Sequence, residues 1–497
     1  MPHRQDPHTI AAIDLGSNSF HLLVAQPQEG RFRVVDRLRE GVRLGAGFDR
    51  HHRLTPEARE RALRCLERFG QRIRHLPRQA VRVVGTNALR MARDADRFLD
   101  AAEAALGHSI DIISGHEEAR LIYLGVSHGL ADSAELRLVM DIGGGSTELI
   151  VGRRFEPQLM ESLHMGCVST STQFFADGVI EPKRMRAAEI AARQEFEPVE
   201  EAFAKAGWQA AIGASGTLLA INDVLRTQGW SQHDGITRTG LHRLREAVLQ
   251  AGRTDRLVAL GVAADRAPVL PGGLAIALGA FEELGIELMR VSDSALREGL
   301  LYDLMGRIHD EDVREETVTH LMARFRVDRA QVNRVAATAA ALQRAARGWV
   351  AQDEETVHLL RWAASLHEIG QSISHSQYQK HGSYLVTHLD MPGFSRGDQN
   401  RLAHLVRAHR RKIPLEEFGD SPQAAGALRL ALLLRLAVVL HRARGAAVPP
   451  EVSFKAEEHT LRLGFPRGWL AAHPLTRADL EQEADYQKAI GYSLKFR

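Results

Sequence analysis

Two glycine-rich loops of nearly the same sequence lie far apart in this chain, and they constrain its fold more than any other feature. The first reads DLGSNSFHLLVA (14–25) and the second reads DIGGGSTELIVG (141–152), 127 positions later. Aligned without gaps, the aspartates, the glycines two positions on and the serines five positions on coincide. A repeat of this length indicates a duplicated structural unit.

Each loop joins strand-like segments, and the segments that follow it also repeat. The runs TIAAIDL, HLLVAQ and RFRVVDRLRE predict β-strands around the first loop, and RLVMDI, ELIVG and QLMESLHMG predict them around the second. Stretches with helical periodicity follow in each half. We therefore expect an α/β fold in which two related lobes face each other.

The remaining chain changes character after residue 304. Almost everything up to residue 445 has helical periodicity, and residues 449–466 resemble a small hairpin. A chain of 497 residues is too long for a single core. The predicted domains are lobe I (1–130), lobe II (131–304), a helical domain (305–445) and a small C-terminal α+β domain (446–497).

Composition excludes several classes of protein. The net charge is +2, which does not imply a general attraction to nucleic acid. Two cysteines cannot form a disulfide framework, and the N-terminal stretch has no signal-peptide core, so we expect a cytoplasmic protein. Arg429 and Arg435 interrupt the longest apolar run, which predicts a buried helix and no transmembrane segment.

The two loops have the chemistry of a phosphate site. Glycines let the backbone approach an anion closely, and successive amide groups form a nest for phosphate oxygens. An aspartate at the end of a strand suits Mg²⁺, which prefers oxygen ligands. Neither loop matches the P-loop pattern or enters a helix directly, so dinucleotide and P-loop sites are disfavoured. A single such turn could be only a tight hairpin; two matched copies favour phosphate binding.

A third glycine-containing turn, GASGT (213–217), follows another strand-like run. It could form the floor of the cleft, or it could be an ordinary turn between a strand and a helix that starts near Thr217.

Five blocks between residues 13 and 217 resemble one known family. The blocks IDLGSNSFHLLVA, GTNALRMARD, ISGHEEARLIYLGV, MDIGGGSTELIVG and IGASGT are similar to the exopolyphosphatase / guanosine pentaphosphate phosphohydrolase family. SDSALREGLLYDL (292–304) extends the likeness. The resemblance implies two actin-like, ribonuclease H-like lobes with mixed sheets, followed by an all-α domain like the HD hydrolases and the small C-terminal domain.

The resemblance implies an exopolyphosphatase that releases orthophosphate from the end of inorganic polyphosphate with Mg²⁺, K⁺ being a candidate stimulating ion. The alternative within the family is hydrolysis of the 5′-terminal phosphate of the alarmone guanosine pentaphosphate. By similarity, VSDSALREG and LLRWAASLHEIG favour polyphosphate. The family also suggests a homodimer in the cytoplasm, with peripheral association at the inner face of the membrane as a further expectation.

Roles follow for individual residues. The resemblance makes Glu118 the catalytic base and directs Arg90 at the phosphoryl group. Asp141 and Glu148, on either side of the second loop, are predicted to bind Mg²⁺ and orient the water, with Asp14 as a weaker metal ligand because the residue opposite it is His21. The residues predicted to cradle phosphates are Ser17, Asn18, Gly144, Gly145 and Ser146.

The helical domain supports a different expectation. A His-Asp pair binds metal in HD hydrolases, but here Glu368 follows His367, so we expect a packing role in place of a metal centre. The basic segment RLAHLVRAHRRK (401–412) contains no acid and could hold a long polyanion. The predicted polyphosphate track comprises Lys380, His381, Arg407, Arg410 and Arg411; a solvated helix end is the simpler alternative.

Two other classes of function stay open from the sequence. An actin-like kinase or chaperone driven by ATP would need a nucleoside pocket. A sensor without catalysis would not need the charged residues that this chain retains.

Overall fold

The computed structural model describes residues 9–28, 31–130, 134–231, 235–308, 312–419, 422–444 and 452–497. The chain divides into two compact units, Met1–Asp312 and Val313–Arg497. The predicted boundaries at 130–131 and 445–446 touch stretches outside the described residues. Within the described ranges, no helix is both long enough and apolar enough to cross a membrane.

The first unit contains two mixed sheets that repeat one topology. The strands of the first sheet are β1 (Ile10–Leu15), β2 (Phe20–Gln28), β3 (Arg31–Glu40), β4 (Val81–Gly85) and β5 (Asp111–Ile112), in the order β3-β2-β1-β4-β5. Those of the second are β6 (Leu136–Ile142), β7 (Thr147–Arg153), β8 (Glu156–Leu163), β9 (Ala210–Ala214), β10 (Ile236–Thr237) and β11 (Leu288–Val291), in the order β10-β11-β9-β6-β7-β8.

The register of the sheets confirms the internal repeat. Strand β1 pairs antiparallel with β2 and parallel with β4, and β6 does the same with β7 and β9. Asp14 lies opposite His21 in the first sheet, and Asp141 lies opposite Glu148 in the second. The two glycine-rich loops therefore occupy equivalent positions, each at the turn between the first two strands of its sheet.

Helices cover both sheets and also fill the space between them. Those of the first half are α1 (Pro56–Ile73), α2 (Asn87–Met91), α3 (Ala95–Leu106) and α4 (Gly115–Gly129). Those of the second half are α5 (Cys167–Phe175), α6 (Pro182–Ala206), α7 (Ser215–Thr227), α8 (Arg238–Ala251), α9 (Leu270–Glu283) and α10 (Leu296–Ile308). Helices α1 and α3 share a core with the outer face of the first sheet, and α6 to α9 share one with the second.

Helices α4 and α10 form the layer between the sheets, and each packs on the sheet of the other half. Helix α4 contacts β7 and β8, whereas α10 contacts β1, β2 and β4. The predicted lobe II (131–304) therefore includes the start of a helix that belongs spatially to the first sheet. Gly125 and Gly299 permit the close crossing, because a Cβ added at Gly299 would lie 1.8 Å from the Leu121 carbonyl oxygen.

The second unit is built around helices. They are α11 (Val313–Arg324), α12 (Arg329–Ala345), α13 (Glu354–Leu366), α14 (Tyr378–His388), α15 (Arg396–Ala408), α16 (Pro422–Leu440), α17 (Trp469–Ala472) and α18 (Pro474–Lys488). A small sheet joins them, with strands β12 (Ser453–Glu457), β13 (Thr460–Gly464) and β14 (Ser493–Phe496). Strands β12 and β13 pair antiparallel, which confirms the predicted hairpin. Leu461, Leu480 and Leu494 enter the same hydrophobic core as the helices, so the two predicted C-terminal domains form one unit.

Candidate active site

The two glycine-rich loops face each other across one cleft of the first unit, as the repeat predicted. A Cβ added at Gly144 would lie 2.8 Å from Cβ of Ser17 and 3.3 Å from the backbone nitrogen of Asn18. A Cβ added at Gly145 would lie 2.3 Å from Oδ1 of Asn87. A side chain at Gly144 would press the loops apart, and one at Gly145 would displace the Asn87 side chain. All five residues that we predicted to cradle phosphates line this cleft.

The first turn of α5 holds the second loop in shape. The amides of Cys167 and Val168 donate to the carbonyl oxygens of Gly143 and Gly144, each at 2.9 Å. A Cβ at Gly166 would lie 2.4 Å from the backbone of Gly144, so the helix and the loop approach closely. The loop carbonyls are thereby directed towards the helix. Among the described residues, no acceptor takes a hydrogen bond from the amides of Gly144 and Gly145, which leaves them available for an anion.

Glu118 lines this cleft and forms an ion pair with Arg90. Ser114 caps the start of α4 by accepting from the Glu117 amide at 3.1 Å, which places the two glutamates in the first helical turn. Arg90 donates from Nη1 to Glu118 Oε2 at 2.8 Å and to the Ile113 carbonyl oxygen at 2.9 Å. Both side chains of the pair are largely buried. Five N–H donors are available on a guanidinium, so Arg90 retains donors for a phosphoryl oxygen.

The neighbouring Glu117 has a different environment. Both of its carboxylate oxygens accept from Arg120 at 2.8 Å, and Arg120 also donates to Asp303 on α10 at 2.5 Å. The side chains of Glu117 and Asp303 are buried. This network joins α4 to α10 between the sheets. Of the two adjacent glutamates, Glu118 is the one that lines the cleft.

Three further carboxylates are buried close to Glu118. Burial and, to a lesser extent, the negative charge of Glu118 raise the pKa of Asp14 to about 8 and that of Asp141 to about 7. Burial and the same neighbour hold the pKa of Glu148 well above its ordinary value. Arg297 is the strongest opposing influence on Asp14 and Asp141. A cluster of this kind favours a bound cation, because a cation relieves the repulsion between the carboxylates.

The predicted metal ligands fit a magnesium ion only in part. Oδ1 of Asp14 and Oε2 of Glu148 are buried and have no hydrogen-bond partner among the described residues, while Ser162 donates to the other oxygen of Glu148 at 2.9 Å. Across the described part of the chain, no three histidine, cysteine or acidic side chains converge on one metal position. Mg²⁺ usually keeps several waters and is bound through one or two carboxylates plus substrate phosphates, and the donors present are compatible with that arrangement.

Three arginines in the cleft were missed by sequence analysis. Arg39 on β3, Arg266 before α9 and Arg297 in the first turn of α10 all line it. Arg39 donates to Asp265 at 2.8 Å. Burial and the nearby arginines lower the pKa of His21 to about 3, burial being the larger effect, so its imidazole is neutral. Of the three arginines, Arg297 lies in the motif SDSALREG and could have been found from it, whereas no motif surrounds Arg39 or Arg266.

The third glycine-containing turn also reaches the cleft. Ser215, Gly216 and Thr217, at the start of α7, line it beside Arg266. Ser215 adopts a φ of 82°, which is rare for a residue with a side chain. Of the two interpretations of GASGT, the structure supports a turn that is both the start of a helix and part of the cleft.

The predicted polyphosphate track in the second unit is not a stripe of free cations. Arg407 lies 3.5 Å from Glu417, and the Arg410 guanidinium lies 4.4 Å from the centre of the Tyr378 ring. Lys380 and Arg411 are exposed, and His381 is partly buried. The segment itself contains no acid, but neighbouring elements supply a carboxylate to Arg407 and an aromatic ring to Arg410, and the polyphosphate track stays a prediction.

The histidines of the helical unit pack inside it. His367 and His409 are buried with their ring centres 5.3 Å apart. Their Nδ1 atoms lie 2.7 and 2.6 Å from the carbonyl oxygens of Ala364 and Val406. Glu368 forms an ion pair with Arg444.

Comparisons with known proteins identify the family of this chain. Residues 23–308 match the model of the Ppx/GppA phosphatase family, and residues 313–484 match domain III of the Ppx/GppA phosphatases. A guanosine-5′-triphosphate,3′-diphosphate pyrophosphatase of Aeromonas hydrophila is 40% identical over 97% of both chains. The protein of that name from Vibrio cholerae serotype O1 is 39% identical, also over 97% of both chains.

Among solved structures, an exopolyphosphatase from Cytophaga hutchinsonii superimposes with a TM-score of 0.55 at 24% identity, covering 61% of this chain and 98% of that chain. At this identity the likeness shows the fold alone, which is actin-like in both lobes. The family models together span both units, and the full-length relatives are similar along nearly the entire sequence. This chain belongs to the Ppx/GppA phosphatase family.

Proposed function

We propose that this protein hydrolyses the terminal 5′-phosphoanhydride of guanosine 5′-triphosphate 3′-diphosphate and releases orthophosphate. The observation that carries the hydrolytic part is the Arg90–Glu118 pair beside two opposed glycine-rich loops. The choice of substrate rests on the relatives that are about 40% identical over 97% of the chain and carry the name of that pyrophosphatase.

In this proposal the loops bind the terminal phosphates. Amides of Gly144 and Gly145, together with Ser17, Asn18 and Ser146, hold the phosphate oxygens from two sides. Because these donors belong to a preformed backbone, they need little reorganisation as charge develops on the phosphoryl group. Arg90 adds a planar guanidinium to the same group.

Glu118 accepts a proton from the attacking water in the proposed reaction. The O–P bond to the water oxygen forms as the bond to the bridging oxygen breaks, and the leaving guanosine tetraphosphate takes the electron pair. One or two of the carboxylates of Asp14, Asp141 and Glu148 would hold a magnesium ion together with phosphate oxygens of the substrate. The ion, when bound, supplies positive charge that neutralises phosphate oxygens.

Inorganic polyphosphate is the second candidate substrate. VSDSALREG and LLRWAASLHEIG favour it by similarity, and three arginines lining the cleft suit a chain made only of phosphates. The two activities need the same hydrolytic centre, so only relative rates distinguish them. An ATP-driven kinase or chaperone would bind ATP at millimolar concentration, and a sensor would bind the substrate without releasing phosphate.

The test is the release of orthophosphate from the guanosine nucleotide, from long-chain polyphosphate and from ATP, each with and without Mg²⁺ and K⁺. We expect kcat/KM for the nucleotide to exceed that for polyphosphate by about tenfold or more, which is 1.4 kcal/mol of transition-state discrimination. A reversed ratio would assign polyphosphate as the principal substrate. No phosphate release from any of them with Mg²⁺ would refute the proposed function.

A further inference from the structure

Arg297 connects the helix between the sheets to the carboxylates of the cleft. It lies in the first turn of α10, and its side chain is 16% exposed. It lines the cleft together with Asp14 and Asp141. Its position follows from the crossing of α4 and α10, since α10 packs on the first sheet close to β1 and β2.

His21 accepts a hydrogen bond from this arginine. Nη1 of Arg297 lies 3.2 Å from Nδ1 of His21. Since a guanidinium can only donate, the imidazole accepts through Nδ1. His21 is the counterpart of Glu148 in the repeat, because each lies opposite the aspartate that ends the first strand of its sheet. One copy of the repeat therefore has a carboxylate at this position and the other has a neutral acceptor.

The difference between the two copies has an electrostatic consequence. A carboxylate at position 21 would form an ion pair with Arg297 and neutralise it, whereas an imidazole orients the guanidinium and leaves its charge intact. The adjacent acid, Glu298, lies 3.9 Å from Arg297 and already accepts from the Ala295 amide at 2.9 Å and from Arg37 at 3.3 Å. Its charge is thus shared with other donors.

We infer that Arg297 is a second substrate-binding arginine that contacts a phosphate of the bound substrate, and that His21 is the residue that positions it. The inference rests on the proposed function, because it names a further contact of the same substrate. Arg90 pairs with Glu118 and binds the transferred phosphoryl group, whereas Arg297 binds a phosphate that stays with the leaving group. Its principal effect is on binding, since that phosphate gains less charge in the reaction.

The inference is tested by binding of inorganic tripolyphosphate, measured by calorimetry, alongside kcat and KM for phosphate release. Arg297→Ala should weaken tripolyphosphate binding by about tenfold or more, as expected for the loss of a hydrogen bond between charged groups. Arg297→Lys should recover part of the loss, because a lysine retains the charge and lacks the planar fork. Arg290→Ala, on an exposed part of β11, removes the same charge elsewhere and should bind as the unmodified protein does.

The His21 variants separate positioning from packing. His21→Gln retains a neutral acceptor and should stay within about twofold of the unmodified KM, whereas His21→Leu should raise KM several-fold with a smaller change in kcat. His21→Glu should weaken tripolyphosphate binding as Arg297→Ala does, because it neutralises the arginine. Equal effects of the glutamine and leucine variants, or unchanged binding in Arg297→Ala, would overturn the inference. Tripolyphosphate binding requires no turnover, so a failure of the proposed function would be seen separately as absent phosphate release.

Discussion

The contact between the two glycine-rich loops can be tested by adding one methyl group. In Gly144→Ala the new Cβ would lie 2.8 Å from Cβ of Ser17, whereas ordinary contact begins at 3.4 Å. Cβ of Ser17 is fixed to its backbone and cannot rotate away, so the loops must separate by about 0.6 Å. The backbone of Gly144 does not have a positive φ, so alanine introduces no conformational strain of its own.

We expect this separation to affect catalysis more than folding. A displacement approaching 1 Å at a reacting centre lowers rates by about 100-fold, or about 2.7 kcal/mol of activation free energy. The overpacking itself should reduce the free energy of unfolding by about 1–3 kcal/mol. The assay is kcat/KM for phosphate release, with thermal unfolding measured on the same preparations.

Gly41→Ala is the matched control. Gly41 lies in the first unit, in the same half as Ser17, and a Cβ there would meet nothing within 4 Å. Its activity should stay within about twofold of the unmodified protein, since surface substitutions away from special features change stability by only about 0.5 kcal/mol. Full activity and unchanged unfolding in Gly144→Ala would refute the reasoning, because the loops would then not be in the tight contact that the structure shows.

Two other predictions concern the packing of each unit. Gly299→Ala brings a Cβ to 1.8 Å from the Leu121 carbonyl oxygen, so it should destabilise the first unit by about 3 kcal/mol or more in chemical unfolding. Gly426→Ala is the control, because Gly426 is a helix position with open space around it, and this variant should be neutral or stabilising. Equal effects of the two variants would argue against the close crossing of α4 and α10. Burial holds the pKa of His367 below 6.5 and that of His409 well below it. Each imidazole thus binds a proton less readily in the native state than in the unfolded chain. The stability present above pH 6.5 should therefore fall below it by at most about 1.4 kcal/mol per histidine and pH unit, until the pH reaches the depressed native pKa. Hydrogen exchange of peptides from 396–419 between pH 8 and 5 measures this, and a His409→Leu variant with the same pH slope as the unmodified protein would contradict it.

The charged groups around His367 and His409 also support a loss of stability as the pH falls. His367 adds to the depression of the pKa of His409, and Arg410 and Arg435 act in the same direction. The carboxylate of Glu368 raises the pKa of His367, whereas the charge of Arg444 lowers it. Burial is the largest influence at both imidazoles, so protonation of either is unfavourable in the native state.

The repeat made much of the first unit predictable from sequence. The matched aspartates and glycines align the two strand-loop-strand units with each other. Because the units are duplicated, the same strand topology is expected around both loops. The layer between the sheets was not predictable in the same way, because helical periodicity shows that α10 has a buried face but not which sheet it covers. The predicted end of lobe II consequently included residues that pack on the first sheet.

The site divides similarly into local and non-local parts. Glu118 and Arg90 lie in short recognisable blocks, and the structure brings them together at 2.8 Å. Arg39 and Arg266 come from segments without a motif, and only the tertiary fold brings them to the cleft. The contact between Arg407 and Glu417 is non-local in the same way, since Glu417 lies outside the basic segment 401–412.

The central claim is that Glu118 activates water for a substrate held between the loops, and single-turnover phosphate release by Glu118→Gln tests it most directly. With enzyme in excess over the guanosine nucleotide, the variant should bind substrate within a few-fold of the unmodified protein and release phosphate about 100-fold to 10,000-fold more slowly. Glu60→Gln, an exposed glutamate of α1, should be unaffected. Phosphate release by Glu118→Gln at a rate near that of the unmodified protein would contradict the account.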